Sequence, residues 1–294
     1  MNLTKTLRFI LRHPINKDNR TKALIRFLKW QAVSRLLPYP VLYPYAMRSH
    51  LLVKKGMTGA TGNIYCGLHE YEEMTCLLHV LRPGDLFLDI GANIGSYTIL
   101  AASEVGAEVI AAEPVPATFD NLQRNIRVND VENKVKAWNV GLGAAAGVLS
   151  FTQGNDTTNH VATASDKNVI QVPVKTVDEL LPETKATFLL AKIDVEGFET
   201  EVLKGMNSTL LLEAFKGIII ELNGSGKRYG YDETAIHNLL LSHGFFPYRY
   251  TPEKRLLTIQ EDYTRGNTIY FRDLPFITQR LASANVVHIY GKHL

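Results

Sequence analysis

From Phe87 to Thr98 the chain reads FLDIGANIGSYT, an apolar run that ends in a glycine-bearing turn and opens into a helix. A strand, turn and helix in that order form a ligand-binding unit, because glycine lets the backbone turn sharply and approach a small molecule. Gly91 and Gly95 bracket the turn and Asp89 places a carboxylate beside it. The next apolar run ends in Glu113, 24 residues after Asp89. A carboxylate at that strand end matches the paired hydroxyls of a ribose, so the two signals together predict a nucleoside ligand.

The glycine pattern is G-x-N-x-G and lacks the third glycine that a dinucleotide fingerprint uses for its pyrophosphate. S-adenosylmethionine has no pyrophosphate, and its ammonium and carboxylate suit a loop that offers an acid and free backbone amides. A nicotinamide-dependent oxidoreductase is the first rival. Its Tyr-x-x-x-Lys spacing occurs at Tyr250 and Lys254, but Pro252 lies between them and breaks the helical turn that would bring them together.

The rest of the chain predicts an α/β fold. Helices over 70–81, 96–105 and 116–128 alternate with strands over 86–90, 108–113 and 135–140, as in a parallel sheet with helical crossovers. The pattern then changes to a β insertion, 148–151 and 169–174, around a polar loop at 154–167. Alternation resumes with strand 188–194, helix 199–204, strand 217–222 and helix 232–242, and short strands over 246–258 and 268–272 give an antiparallel C-terminal edge. Ligands of such sheets lie at the carboxyl ends of the strands. Asp89, Glu113, the segment from Asn139 to Gly143, Asp194, Glu196 and Glu221 therefore converge on one crevice.

Taken together, DIGANIGSYT, the Glu113-Pro114 strand end, NVGLG and KIDVEGFETEVLKG (192–205) resemble the FkbM-type class I S-adenosylmethionine-dependent methyltransferases. The resemblance covers roughly 62–222 and implies a Rossmann-like sheet and O-methylation, often of hydroxyls in polysaccharides, glycolipids or glycosylated natural products. It implies that Asp89, Gly91, Asn93 and Gly95 hold the methionine end, that Glu113 holds the ribose, and that Gly141 and Leu142 form the adenine wall. Asp194 and Glu196 would face the methyl group and the acceptor.

An alcohol acceptor needs a base, for which Asp194, Glu196 and His160 are the candidates. Lone acids are more often solvated or helix-capping, and Glu199 and Glu201 are read that way. A divalent metal on Asp194, Glu196 and Glu221 is an alternative with no motif to support it. Acceptors other than sugars, a non-sugar small molecule or a nucleic acid, stay open. The nucleic acid is disfavoured because an acidic site repels phosphate.

Charge divides the chain unevenly. Residues 1–56 hold twelve Lys or Arg and one acid, whereas the remainder holds twenty bases and twenty-eight acids. Residues 1–48 read as a basic arm with a linker broken by Pro38, Pro40 and Pro44, and 49–294 as the catalytic domain. Between Arg20 and Leu37, Lys22, Arg26 and Lys29 line one helical face while Ile25, Leu28, Ala32 and Leu36 line another. Such a helix suits an anionic membrane surface, an acidic partner, or packing on its own domain. No run is long enough to cross a bilayer, Arg8 and Arg12 interrupt any signal-peptide core, and Cys66 and Cys76 fit reduced thiols. A cytoplasmic protein, peripheral at most to the inner membrane face, is expected.

Overall fold

The computed structural model describes residues 3–181 and 183–294. Its centre is an eight-stranded sheet, whose strands we number in chain order: β1 (Leu86–Ile90), β2 (Glu108–Ala112), β3 (Val135–Trp138), β4 (Leu189–Ile193), β5 (Phe215–Leu222), β6 (Phe246–Thr251), β7 (Leu256–Ile259) and β8 (Gly266–Phe271). They lie in the order β7-β6-β8-β5-β4-β1-β2-β3. Neighbours from β5 to β3 pair in parallel, and β8 inserts antiparallel between β5 and β6. The sheet is therefore Rossmann-like and mostly parallel, with the expected antiparallel C-terminal edge.

β1 and β4 are buried along their whole length, which suits largely apolar runs at the centre of a parallel sheet, each carrying one charged residue, Asp89 or Lys192. The strand order reverses between them, so their carboxyl ends open the crevice in which ligands of such sheets bind. In register, Asp89 on β1 stands beside Lys192 on β4, and Glu221 on β5 stands opposite Asn267 on β8. The predicted β insertion forms a three-stranded side sheet of Gly141–Leu142, Gly147–Thr152 and Val169–Lys175.

The basic arm packs on its own domain, one of the three readings its sequence allows. Helix Arg20–Leu36, capped by the Asn19 side chain on Lys22 N, buries Ala23, Phe27 and Trp30 in the same apolar cluster as Leu77 and Phe87 of the domain. The Arg26 guanidinium donates to Asn16 Oδ1 (2.6 Å) and Tyr65 O (3.1 Å) and lies 3.9 Å from the centre of the Tyr290 ring. The expected linker is not irregular. Val41–Pro44 pairs antiparallel with His50–Val53, and Pro44 is tolerated because it ends the strand. Replacing Trp30 with alanine should thus cost about 3–5 kcal/mol of global stability, the range for truncating a large buried aromatic. A urea-unfolding midpoint checks this, and a loss below about 1 kcal/mol would detach the arm from the core. Among the described residues, no helix is long and apolar enough to cross a membrane.

Candidate active site

A cavity of about 690 Å³ lies over the carboxyl ends of β1, β2, β4 and β5. It falls within the size range of small-molecule sites. Its floor begins at the turn after β1. Gly91 has φ +83°, and a Cβ there would come within 1.9 Å of the Asp194 carbonyl oxygen, so only glycine lets the turns after β1 and β4 approach each other. Gly95, at φ +92°, likewise lies where a Cβ would strike Leu122.

The two acids anticipated at this end are both buried and both committed to backbone. Asp89 Oδ2 accepts from Thr98 N (2.9 Å) and Thr98 Oγ1 (2.5 Å), which ties the carboxylate to the first turn of the following helix. Glu113 Oε2 accepts from Asn93 N (3.0 Å) and Oε1 from Val115 N (2.9 Å), so one side chain positions both ligand loops. Burial raises the Asp89 carboxyl to about 6 against the opposing pull of Thr98. It raises Glu113 to about 7 against the pull of the Val115 and Asn93 amides. Each Glu113 oxygen keeps a lone pair for a further donor, as a ribose diol requires. Asn93 itself sits at φ +51° and folds its Oδ1 back onto Ile94 N. Gly141 and Leu142 line the same cavity beside Phe151, whose ring packs where a Cβ on Gly141 would stand.

The ends of β4 and β5, next to β1, are acidic as well. Oxygens of Asp194, Glu196 and Glu221 lie within 4.8 Å of one another. Three carboxylates at that spacing repel unless neutralised, and Lys192 supplies the counter-charge. Its Nζ is 2.9 Å from Asp194 Oδ2, with the lysine side chain only 2% exposed. Burial opposes the ammonium, yet Asp194 and Glu70 outweigh it and hold its pKa above the usual value. Burial, then the Asp194 charge, raises Glu196 to about 7. The same two causes raise Glu221. Glu196 sits in the left-handed region (φ +55°), and its carbonyl accepts from the Arg228 guanidinium at 3.1 Å. The three acids could also ligate a divalent cation, although Lys192 already provides positive charge there.

His160 is not brought to this cluster. Its Nδ1 lies 2.8 Å from Thr158 O and its Nε2 faces Asp166, whereas the neighbouring Asn159 and Val161 line the cavity. Glu199 is buried, and its Oε1 accepts from Val195 N and Gly197 N, a cap on the turn that carries Glu196. Glu201 meets Lys204 and the Tyr231 hydroxyl. Tyr250, half of the dehydrogenase-like spacing, is fully buried against His79, and neither lines the cavity.

Two contributors went unrecognised in the sequence. Lys192 could have been found, since Lys192 and Asp194 two positions apart on one strand share a face. Glu70 could not: it reaches the cavity from a distant loop, held by the Tyr97 hydroxyl (2.5 Å) and Asn267 Nδ2 (2.7 Å).

Residues 89–247 match the profile of the methyltransferase FkbM domain. The chain belongs to the FkbM methyltransferase family. Among its relatives, the hexuronic acid methyltransferase AglP of Haloferax volcanii is 30% identical over 155 residues, which are 52% of this chain and 62% of AglP. Methyltransferase 1 of Beauveria bassiana is 32% identical over 189 residues, covering 55% of this chain and 73% of its own. The 31-O-demethyl-FK506 methyltransferase FkbM of Streptomyces tacrolimicus is 31% identical over 160 residues, covering 43% and 61%. The match to AglP thus spans less than two thirds of that protein.

FkbM membership displaces the nicotinamide reading and makes S-adenosylmethionine the cofactor. The residues fit it. Asp89 and Glu113 line the cavity where they would meet an ammonium and a ribose diol, and Val140, Leu142 and Phe151 line it where they would form an apolar wall for a purine.

Proposed function

We propose that this FkbM methyltransferase transfers a methyl group to a hydroxyl oxygen of a sugar or glycoconjugate. The observation that carries the reading is the cluster of Asp194, Glu196 and Glu221 at the end of the cavity away from Glu113, a set of acceptors for adjacent hydroxyl donors. The sugar named for AglP supports it.

When bound, S-adenosylmethionine supplies an electrophilic methyl group. The chain's own residues do the rest. Asp194, paired with the Lys192 ammonium, accepts a hydrogen bond from one acceptor hydroxyl and fixes its orientation. Glu196, with a pKa of about 7, takes the proton of the hydroxyl that reacts. The loop around Asp156 covers the cavity edge, where Asp156 Oδ2 accepts from Thr58 N at 2.6 Å, and this limits access of competing water. Incubation with methyl-labelled S-adenosylmethionine and a panel of neutral sugars, sugar acids, macrolides and RNA tests the reading. Label in the methyl ether of a saccharide is expected, and label confined to RNA or to a macrolide would contradict it.

The reading includes peripheral contact with an anionic membrane. Ile25, Leu28 and Leu36 are 45%, 63% and 78% exposed, a stripe left free because the helix buries its Phe27 and Trp30 face instead. Lys22 and Lys29 flank that stripe and complement anionic lipid. Deleting the arm would remove core residues, so point substitutions make the cleaner test. An Ile25→Ser, Leu28→Ser variant should lose at least about fivefold in co-sedimentation with vesicles rich in phosphatidylglycerol, roughly 1 kcal/mol of apolar contact. Equal sedimentation of variant and wild type would contradict the membrane contact.

A further inference from the structure

The cavity also extends to exposed residues of the arm and of the segment just after it. Lys5 and Phe9 reach it from helix Leu3–Arg12, Gln31 and Arg35 from helix Arg20–Leu36, and Lys55 from the turn before helix Thr58–Cys66. Charge along the cavity is therefore segregated: carboxylates gather at the strand ends, and three cations stand at the mouth. No ion pair among the described residues involves Lys5, Arg35 or Lys55. Asp156 also reaches this rim, but its carboxylate is occupied by Thr58.

Arg35 is positioned rather than loose. Its Nη1 donates to Gln31 O and Gln31 Oε1, both at 2.6 Å, and Gln31 Nε2 donates to the Tyr65 hydroxyl at 2.6 Å. The remaining guanidinium donors are uncommitted and match a planar oxyanion. Phe9, 39% exposed and edge-on to His69 at 5.3 Å, adds an apolar ring edge on the same wall. A neutral sugar gains little from three unpaired cations, whereas a carboxylate or phosphate on the acceptor would be drawn to them while its hydroxyls meet the acids inside.

We propose that this mouth, formed by the arm and the turn at Lys55, is an acceptor subsite for an acidic saccharide, with Lys5, Arg35 and Lys55 binding an oxyanion of the sugar distant from the hydroxyl that is methylated. The inference rests on the sugar-methylating reading and names the acceptor class for it. The arm is then a specificity element of the enzyme, and the acceptor's anionic end points outward.

Calorimetric titration of the full chain, saturated with S-adenosylhomocysteine, tests this with three probes: methyl glucuronide, glucose 1-phosphate and neutral methyl glucoside. At least one anionic probe should bind about tenfold more tightly than the neutral one, a difference of about 1.4 kcal/mol. A Lys5→Gln, Arg35→Gln, Lys55→Gln variant should lose that preference yet bind S-adenosylhomocysteine as before. An Arg124→Gln, Lys185→Gln, Lys254→Gln control, with the same charge removed elsewhere, should keep it. Preference for the glucuronide identifies a sugar acid, and preference for the phosphate identifies a phosphorylated acceptor. Equal binding of neutral and anionic probes, no saccharide binding at all, or a preference that survives the mouth variant would overturn the inference. Failure of S-adenosylhomocysteine itself to bind would instead overturn the methyltransferase reading beneath it.

Discussion

Replacing Glu196 with glutamine lowers kcat by about 10²- to 10⁴-fold, the usual worth of a positioned general base, and leaves S-adenosylmethionine affinity within about twofold. The substituted side chain keeps the shape of the original, and the left-handed backbone and the Arg228 contact to the main-chain carbonyl are unchanged, so the loss is chemical rather than structural. The pH profile separates the two. Burial and the neighbouring Asp194 charge raise Glu196 to about 7, and a base works only when ionised. Activity of the wild type should therefore rise with pH through about 7 and flatten above it. In the glutamine variant the residual rate should lose that rise. A variant that keeps both its rate and its acid limb would remove Glu196 from the proton transfer and leave Asp194 or Glu221 to perform it.

Glu113→Ala should weaken S-adenosylmethionine binding by at least about 100-fold. Two losses combine: the oxygens proposed to hold the ribose, and the bonds from Asn93 N and Val115 N that hold the two loops in place. Hydrogen bonds to a charged group contribute roughly 1.5–3 kcal/mol each, so the loss of two suffices. The wild-type affinity should also fall as pH drops from about 8 to 6, because the carboxyl, raised to about 7 by burial, gains a proton and with it loses acceptor strength. Calorimetry of the wild type and the variant across that range checks both statements. Undiminished binding by the variant would separate Glu113 from the cofactor.

The elements around this site were legible in sequence for a physical reason. Central parallel strands are buried on both faces, so β1 and β4 appear as largely apolar runs, with Asp89 near the end of the first and Asp194 just after the second. The glycines are forced by close approaches such as Gly91 against the Asp194 carbonyl, which no other residue allows. The arm was not legible, because periodicity shows which faces of a helix are apolar but not which one finds a partner. Ile25, Leu28 and Leu36 form the more evident stripe, yet Phe27 and Trp30 are buried because Tyr65 and Tyr43 stand opposite them. Arg26, which the periodicity places on one helical face with Lys22 and Lys29, is satisfied by Asn16, a main-chain carbonyl and the ring of Tyr290 near the end of the chain. Glu70 and Asn267 meet across 197 positions, a pairing that no local pattern encodes.

Whether the cavity between the turn after β1 and the end of β2 binds S-adenosylmethionine is decided by calorimetric titration of the wild-type chain with S-adenosylmethionine and, separately, with nicotinamide dinucleotides. Saturable one-to-one binding of S-adenosylmethionine, competition by S-adenosylhomocysteine and no dinucleotide binding at the same concentrations are expected. Absence of S-adenosylmethionine binding, or its displacement by a nicotinamide dinucleotide, would show that this cavity is not a site for S-adenosylmethionine.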